Sequence, residues 1–219
     1  MRRLAVASLL VVAALVGSVR AEAQTFTAAD AARVAHGETV ARRQRVDNRS
    51  GHYVGGTAYA LIDATPAEVD AILDDVAAYP HFLPYTKDAR MVARDGSDLV
   101  VWLRQGNALL DASYTIRVRP ESSSPSPRVV RFWLDRSLPH GISDASGFFR
   151  YEPAPESAAP PSAPGSRRPL LVTFGIRVDV GPGIVRALFE GKIETIVLSV
   201  PQHLRDYVGE RGRKASAVR

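Results

Sequence analysis

Residues 60–92 read ALIDATPAEVDAILDDVAAYPHFLPYTKDARMV, and the change of hydrophobic period inside this stretch decides the fold. Thr65 offers a side-chain acceptor, Pro66 takes the first helical position and Glu68 stands three residues after Thr65. Together they form a capping box with a proline start. Val69, Ile72, Leu73 and Val76 then recur at helical spacing, so the helix has one apolar face. Pro80 and Pro84 restrict the next segment, AAYPHFLPY, to a short helix or turn. From Lys87 onward the period falls to two. Ala89, Met91 and Ala93 alternate with Arg90, Val92 and Arg94, and Asp95-Gly96 marks a hairpin.

The period of two continues downstream. Leu99 to Gln105 is apolar on both faces, which leaves its register open. In residues 111–119, Ala112, Tyr114, Ile116 and Val118 share one face while Asp111, Ser113, Thr115, Arg117 and Arg119 share the other. Val130, Phe132 and Leu134 form the apolar side of the next strand, and Phe149 and Tyr151 flank an outward Arg150. Val172, Phe174, Ile176 and Val178 alternate with Thr173, Gly175, Arg177 and Asp179. This is an antiparallel sheet with one buried face and one wet face.

Upstream, Thr27 to Ala35 reads as a short capped helix, and Gly37 lies just past its end. Glu38 to Val46 and His52 to Ile62 are strands joined by turn formers. Downstream, Gly181-Pro182-Gly183 ends the last strand, and Ile184 to Val208 predicts one long helix. Its stripe contains Leu188, Ile193, Ile196, Val197, Val200, Leu204 and Tyr207. Pro201 should kink that helix, and Gly209 with the basic tail should end it and fray. Residues 120–127 and 153–169 are rich in Pro and Ser and are expected to be mobile hairpin loops.

Of 219 residues, 46% are apolar, 23% charged and 7% aromatic, which fits a globular chain and excludes collagen-like, coiled-coil or largely disordered classes. The absence of Cys excludes a disulfide framework, a thiolate zinc site, a cysteine nucleophile and a thioether-linked lipid anchor. Arg2 and Arg3, the apolar run Leu4 to Val16 and Ala21-Glu22-Ala23 have the order of a cleavable export signal, with cleavage expected after Ala23. The run is too short for a permanent spanning helix. Removing residues 1–23 takes Arg2, Arg3, Arg20 and Glu22 from the formal charge of +5 and leaves +3. That charge is spread rather than clustered, so nucleic acid is not an expected partner. The organisation is a leader (1–23), an N-terminal helix and extra strand (24–48), one main domain (49–209) and a basic tail (210–219).

The order of strand, two short helices, antiparallel run and long C-terminal helix resembles the START-like (SRPBCC) superfamily, in its polyketide-cyclase/lipid-transport and coenzyme Q-binding type. Residues 60–92 carry the resemblance, together with GFFRYEPA (147–154), which matches an aromatic-Arg-aromatic strand of that family. The proline-rich 153–169 and Pro201 depart from the pattern. The resemblance implies an α+β helix-grip fold, a curved antiparallel sheet wrapped around a long C-terminal helix with an apolar cavity between them. It implies lipids, sterols, quinones or polyketides as ligands.

No motif for chemistry accompanies that fold. His36, His52, His81, His140 and His203 are scattered, and neither a metal-binding spacing, a nucleophile elbow nor a phosphate loop occurs. Asp74-Asp75 reads as a solvated pair. The expected ligand-binding set is Met91, Tyr114, Ile116, Phe132, Phe149, Tyr151, Phe174, Ile176, Leu188 and Ile196, with no catalytic residue, metal or cofactor. Tyr114 reads either as a ligand contact or as a core tyrosine with a backbone partner. Arg104, in phase with Trp102, reads either as a cation at the ligand or as a solvated side chain. His140 reads as a cavity-rim or plain loop residue. Tyr79 and His81 read as lid residues or as neighbours of a packed Phe82 and Leu83. The expected protein is an exported, monomeric binder of a hydrophobic small molecule or lipid that touches membranes transiently. The alternatives are a cyclase or aromatase working through Tyr114, Arg104 or His140, and an interaction module without ligand.

Overall fold

Every strand predicted from the alternation is present in one sheet, because residues with period two can satisfy their backbone groups only on neighbouring strands. The computed structural model describes residues 26–49, 51–106, 111–121, 126–159, 167–181 and 184–217, and the side chains of 184–190 and 215–216 lie outside the description. The expected cleavage site and the Leu188 side chain therefore fall outside the description. Strands β1 (Val40–Asn48), β2 (Gly51–Ile62), β3 (Thr86–Asp95), β4 (Asp98–Gly106), β5 (Asp111–Pro120), β6 (Arg128–Leu134), β7 (Asp144–Pro153) and β8 (Leu170–Asp179) form one antiparallel sheet. Their order is β1-β2-β8-β7-β6-β5-β4-β3. The helices are α1 (Ala28–Ala35), α2 (Pro66–Asp74), α3 (Tyr79–Phe82), α4 (Ile184–Leu198) and α5 (Val200–Ala217). α2 and α3 lead the chain from β2 to the far edge strand β3, and α4 and α5 return over β2 and β8 on the concave face. This curved sheet closed by C-terminal helices is the expected helix-grip arrangement.

The caps form as their residues dictate. Thr65 Oγ1 accepts from the Glu68 backbone at 3.1 Å, and Glu68 Oε2 accepts from the Thr65 backbone at 2.6 Å. Thr27 and Asp30 build the same box on α1.

The concave core joins Ile62, Val69, Leu73, Phe82, Leu99, Val101, Leu103, Phe149, Phe174 and Leu204. Register is now settled for β4: Leu99, Val101 and Leu103 point into this core, and Trp102 and Arg104 point away. On the convex face α1 covers β1 and β2, where Ala31, Val34, Tyr59, Leu61 and Leu171 make a second cluster. Ion pairs cover more of the convex face. Arg119 grips Asp98 through two hydrogen bonds of 2.5 and 2.7 Å, and Arg117 reaches Asp95 and Asp135, each at 2.8 Å.

Three expectations need correction. The C-terminal helix is two helices. Pro201 has no hydrogen to give the Val197 carbonyl, and its ring crowds that carbonyl. Both the backbone N–H and Oγ of Ser199 turn instead to the Ile196 carbonyl, at 3.1 and 2.7 Å. The second correction is that α5 does not stop at Gly209 but continues through Ala217. The third concerns the proline-rich segment, which is ordered where it leaves β7. Ala154 and Ala158 are fully buried beside α1, with a 3₁₀ turn over Glu156–Ala158. Small side chains, not the average composition, allow that packing. Residues 160–166 lie outside the description.

Candidate functional site

Phe132, Phe149 and Phe174 come from three adjacent strands, and their rings meet on the concave face. Phe149 and Phe174 have centroids 4.7 Å apart, and Phe132 stacks on Phe174 at 5.9 Å. Gly147 makes this possible. It faces Phe132 across the ladder, and a Cβ there would come within 2.3 Å of the Phe132 ring. The aromatic cluster is the floor of a cavity of about 410 Å³ between sheet and helices, within the few hundred to a thousand Å³ usual for small-molecule sites.

Ile193, Ile196 and Val197 of α4 and Val200 of α5 roof this cavity. Ala112, Tyr114, Ile116 and Val118 supply one flank, and Ile176 and Val178 the other. Tyr79, Phe82, Leu83, Pro84 and Tyr85 close one end. Tyr85, at φ +59°, is more than half exposed at the mouth.

Polar groups collect at this end. Tyr114 Oη donates to Gln105 Oε1. The Gln105 amide in turn donates to Thr86 Oγ1 at 2.7 Å and toward the Pro84 carbonyl at 3.5 Å. Tyr79 Oη donates to the Leu73 carbonyl at 2.8 Å. Burial pushes the ionisation of Tyr79 and Tyr114 well above the ordinary tyrosine range, so both phenols keep their protons. Asp111 is the carboxylate among the described lining residues, and it is paired with Lys87 at 3.1 Å and Arg104 at 3.6 Å.

Of the expected ligand-binding residues, Tyr114, Ile116, Phe132, Phe149, Phe174, Ile176 and Ile196 line this one space. Met91 does not. It pairs with Val101 of the core, but β3 is the edge strand and leaves Met91 57% exposed. Tyr151 is fully buried but borders a separate hollow of about 210 Å³, where it donates to Asp70, which also binds Arg128. Arg104 and His140 stay outside the cavity, although Gly141 and Ile142 beside His140 line it. His140 Nδ1 lies 2.8 Å from the Ile142 carbonyl. His81 stacks on Tyr207 with centroids 5.2 Å apart and does not join the lining.

Gln105 was missed by the sequence reading. It stands two residues beyond Leu103, in phase with the core residues of β4, and that phase was the available signal. Among the described residues, no group of three His, Asp or Glu side chains is placed to hold a metal ion. No described helix is long and apolar enough to cross a membrane.

Residues 62–191, more than half of the chain, match the profile of the family described as polyketide cyclase / dehydrase and lipid transport. The chain belongs to this family. Solved structures show how widely this family's fold recurs. A STAR-related lipid transfer protein from Xanthomonas axonopodis superposes with a TM-score of 0.62 at 13% identity, over 78% of this chain and 93% of its own. Human STARD10 gives 0.55 at 8% identity, over 80% and 76%. The Zhui aromatase/cyclase from Streptomyces sp. R1128 gives 0.52 at 17% identity, over 80% and 96%. At these identities the likeness concerns the fold alone. A comparison with curated protein sequences found no match.

Proposed function

We propose that this member of the polyketide cyclase / dehydrase and lipid transport family binds a hydrophobic small molecule or lipid between sheet and helices and shields or carries it. One observation carries the reading: the cavity of about 410 Å³ floored by Phe132, Phe149 and Phe174 and roofed by α4. Transfer of apolar surface into such a space is favourable without any reacting group. Lipids, sterols, quinones and polyketides are the ligand classes that the family resemblance implies. The cyclase reading needs a donor aimed at a substrate carbonyl. The half-buried Tyr114 hydroxyl gives its hydrogen to Gln105, which favours binding over catalysis.

The site of action proposed is outside the cytoplasm, as a monomer with a mature N-terminus at Gln24. The leader-like order of residues 1–23 supports the location and the cleavage point, and N-terminal sequencing of the exported protein tests both. The binding reading is tested by native mass spectrometry of the purified chain, followed by solvent extraction and by titration with the neutral fluorophore N-phenyl-1-naphthylamine. A co-purifying lipid or saturable probe binding is the expected result. A chain that carries nothing and takes up no probe overturns it.

A further inference from the structure

We infer that the cavity selects, at its Tyr114 end, a ligand bearing a hydroxyl group, because the hydrogen-bond chain there ends in an acceptor and not in a donor. The inference rests on the binding reading above and narrows it to one class, neutral amphiphiles whose polar group donates: alcohols, phenols and sterol-like hydroxyls, in preference to ketones or quinones.

The direction of the chain follows from its fixed end. The Pro84 carbonyl can only accept, and it lies with Thr86 Oγ1 on the Nε2 side of Gln105, at 3.5 and 2.7 Å. The amide is thereby oriented with Oε1 toward Tyr114. An amide oxygen can only accept, so the single phenolic hydrogen of Tyr114 is committed to it. Burial raises the ionisation of Tyr114 and keeps that hydrogen in place. What remains for a ligand is a lone pair on Tyr114 Oη.

Three other donors around the cavity are committed as well. Tyr79 Oη serves the Leu73 carbonyl at 2.8 Å. The backbone N–H of Gly106 serves the Tyr85 carbonyl at 3.0 Å, and that of Gly141 serves the Ser113 carbonyl at 2.8 Å. Tyr85, exposed at the mouth, is hydrated with or without ligand and discriminates little. A ligand hydroxyl at Tyr114 therefore gains a partner while every existing bond survives. A ligand carbonyl at Tyr114 either stays unpaired or takes the hydrogen from Gln105 and leaves a half-buried amide oxygen bare.

The test compares 1-dodecanol, 2-dodecanone and dodecane as competitors of bound N-phenyl-1-naphthylamine. The three differ in the polar group and share the apolar chain. The alcohol is expected to bind about tenfold more tightly than the ketone, the weight of one unmade buried hydrogen bond. In Tyr114→Phe the alcohol should fall to the level of the ketone while dodecane is unchanged. In Gln105→Leu the phenolic hydrogen is released, so the ketone should rise toward the alcohol; this variant keeps the test open if Tyr114→Phe fails to fold. A ketone that equals or exceeds the alcohol in the native chain overturns the inference. So does an alcohol preference that survives both substitutions. Dodecane binding without alcohol preference defeats this inference alone, whereas failure of the fluorophore and all three competitors to bind defeats the binding reading as well.

Discussion

Thr65 shows what one side chain contributes when its geometry is complete. Its Oγ1 satisfies the Glu68 N–H, which the first turn of α2 leaves without an intrahelical partner. Thr65→Ala is expected to lower stability by about 1 kcal/mol, read as a shift in the urea midpoint. Asp98 acts differently, as a buried carboxylate clasped by Arg119 on the convex face. Hydrogen bonds from Arg119 hold its ionisation below the usual carboxylate range, and Asp135 is held low by Ser137 and Arg117. A carboxylate depressed in the folded state contributes stability above its unfolded pKa of about 4 and loses it as pH falls through the folded value. Urea midpoints should therefore decline on acidification below about pH 4. Asp98→Asn should cost about 2 kcal/mol at neutral pH and make that acid decline shallower.

Elements differ in how plainly their residues announce them. α2 and β5 were legible because each carries a single period: Val69, Ile72 and Leu73 recur every three or four residues, and Tyr114, Ile116 and Val118 every two. β4 was not, since Val100 and Trp102 hold the outer face between Asp98 and Arg104, so no polar residue marks that face over the middle of the strand. Met91 was misplaced for a reason that pattern cannot supply. An edge strand has a neighbour on one side only, so Met91 stays exposed although it pairs with the core residue Val101, and a bulge at Val92 reverses the alternation from Ala93 onward. The C-terminal break also depends on position: Pro201 falls in the first turn of α5, where proline is tolerated, rather than in a helix interior. The proline-rich connection splits into two parts with opposite expectations. Replacing residues 160–166 by a short Gly-containing link should change stability by no more than about 1 kcal/mol, because closure entropy varies slowly with loop length. Removing 154–159 uncovers Ala31, Val34 and Leu171 and should lower the melting temperature clearly further. Equal melting temperatures for the two deletions would contradict the packing of Ala154 and Ala158 beside α1.

At the scale of the whole molecule, the aromatic floor is where packing and ligand capacity compete. Phe174→Trp should cost about 1–3 kcal/mol through overpacking and weaken N-phenyl-1-naphthylamine binding by occupying its space. Calorimetric melting and the fluorescence titration measure the two effects separately, and unchanged probe affinity would place the ligand elsewhere. Sequence alternation gave the side of the sheet on which Phe132, Phe149 and Phe174 lie. It could not give the space above them, because the stand-off of α4 depends on Ser199 and on residues distant in the chain. The cavity is also divided along the sequence. Thr86, Gln105 and Tyr114, with the end wall before them, belong to the continuous stretch 79–114, whereas the floor and roof come from residues 130–200. On the binding reading, the polar end and the apolar floor and roof can therefore vary separately along the chain. A chimera that exchanges 79–114 with a relative's counterpart is expected to change polar-group selectivity and the end wall while the floor and roof stay as they are.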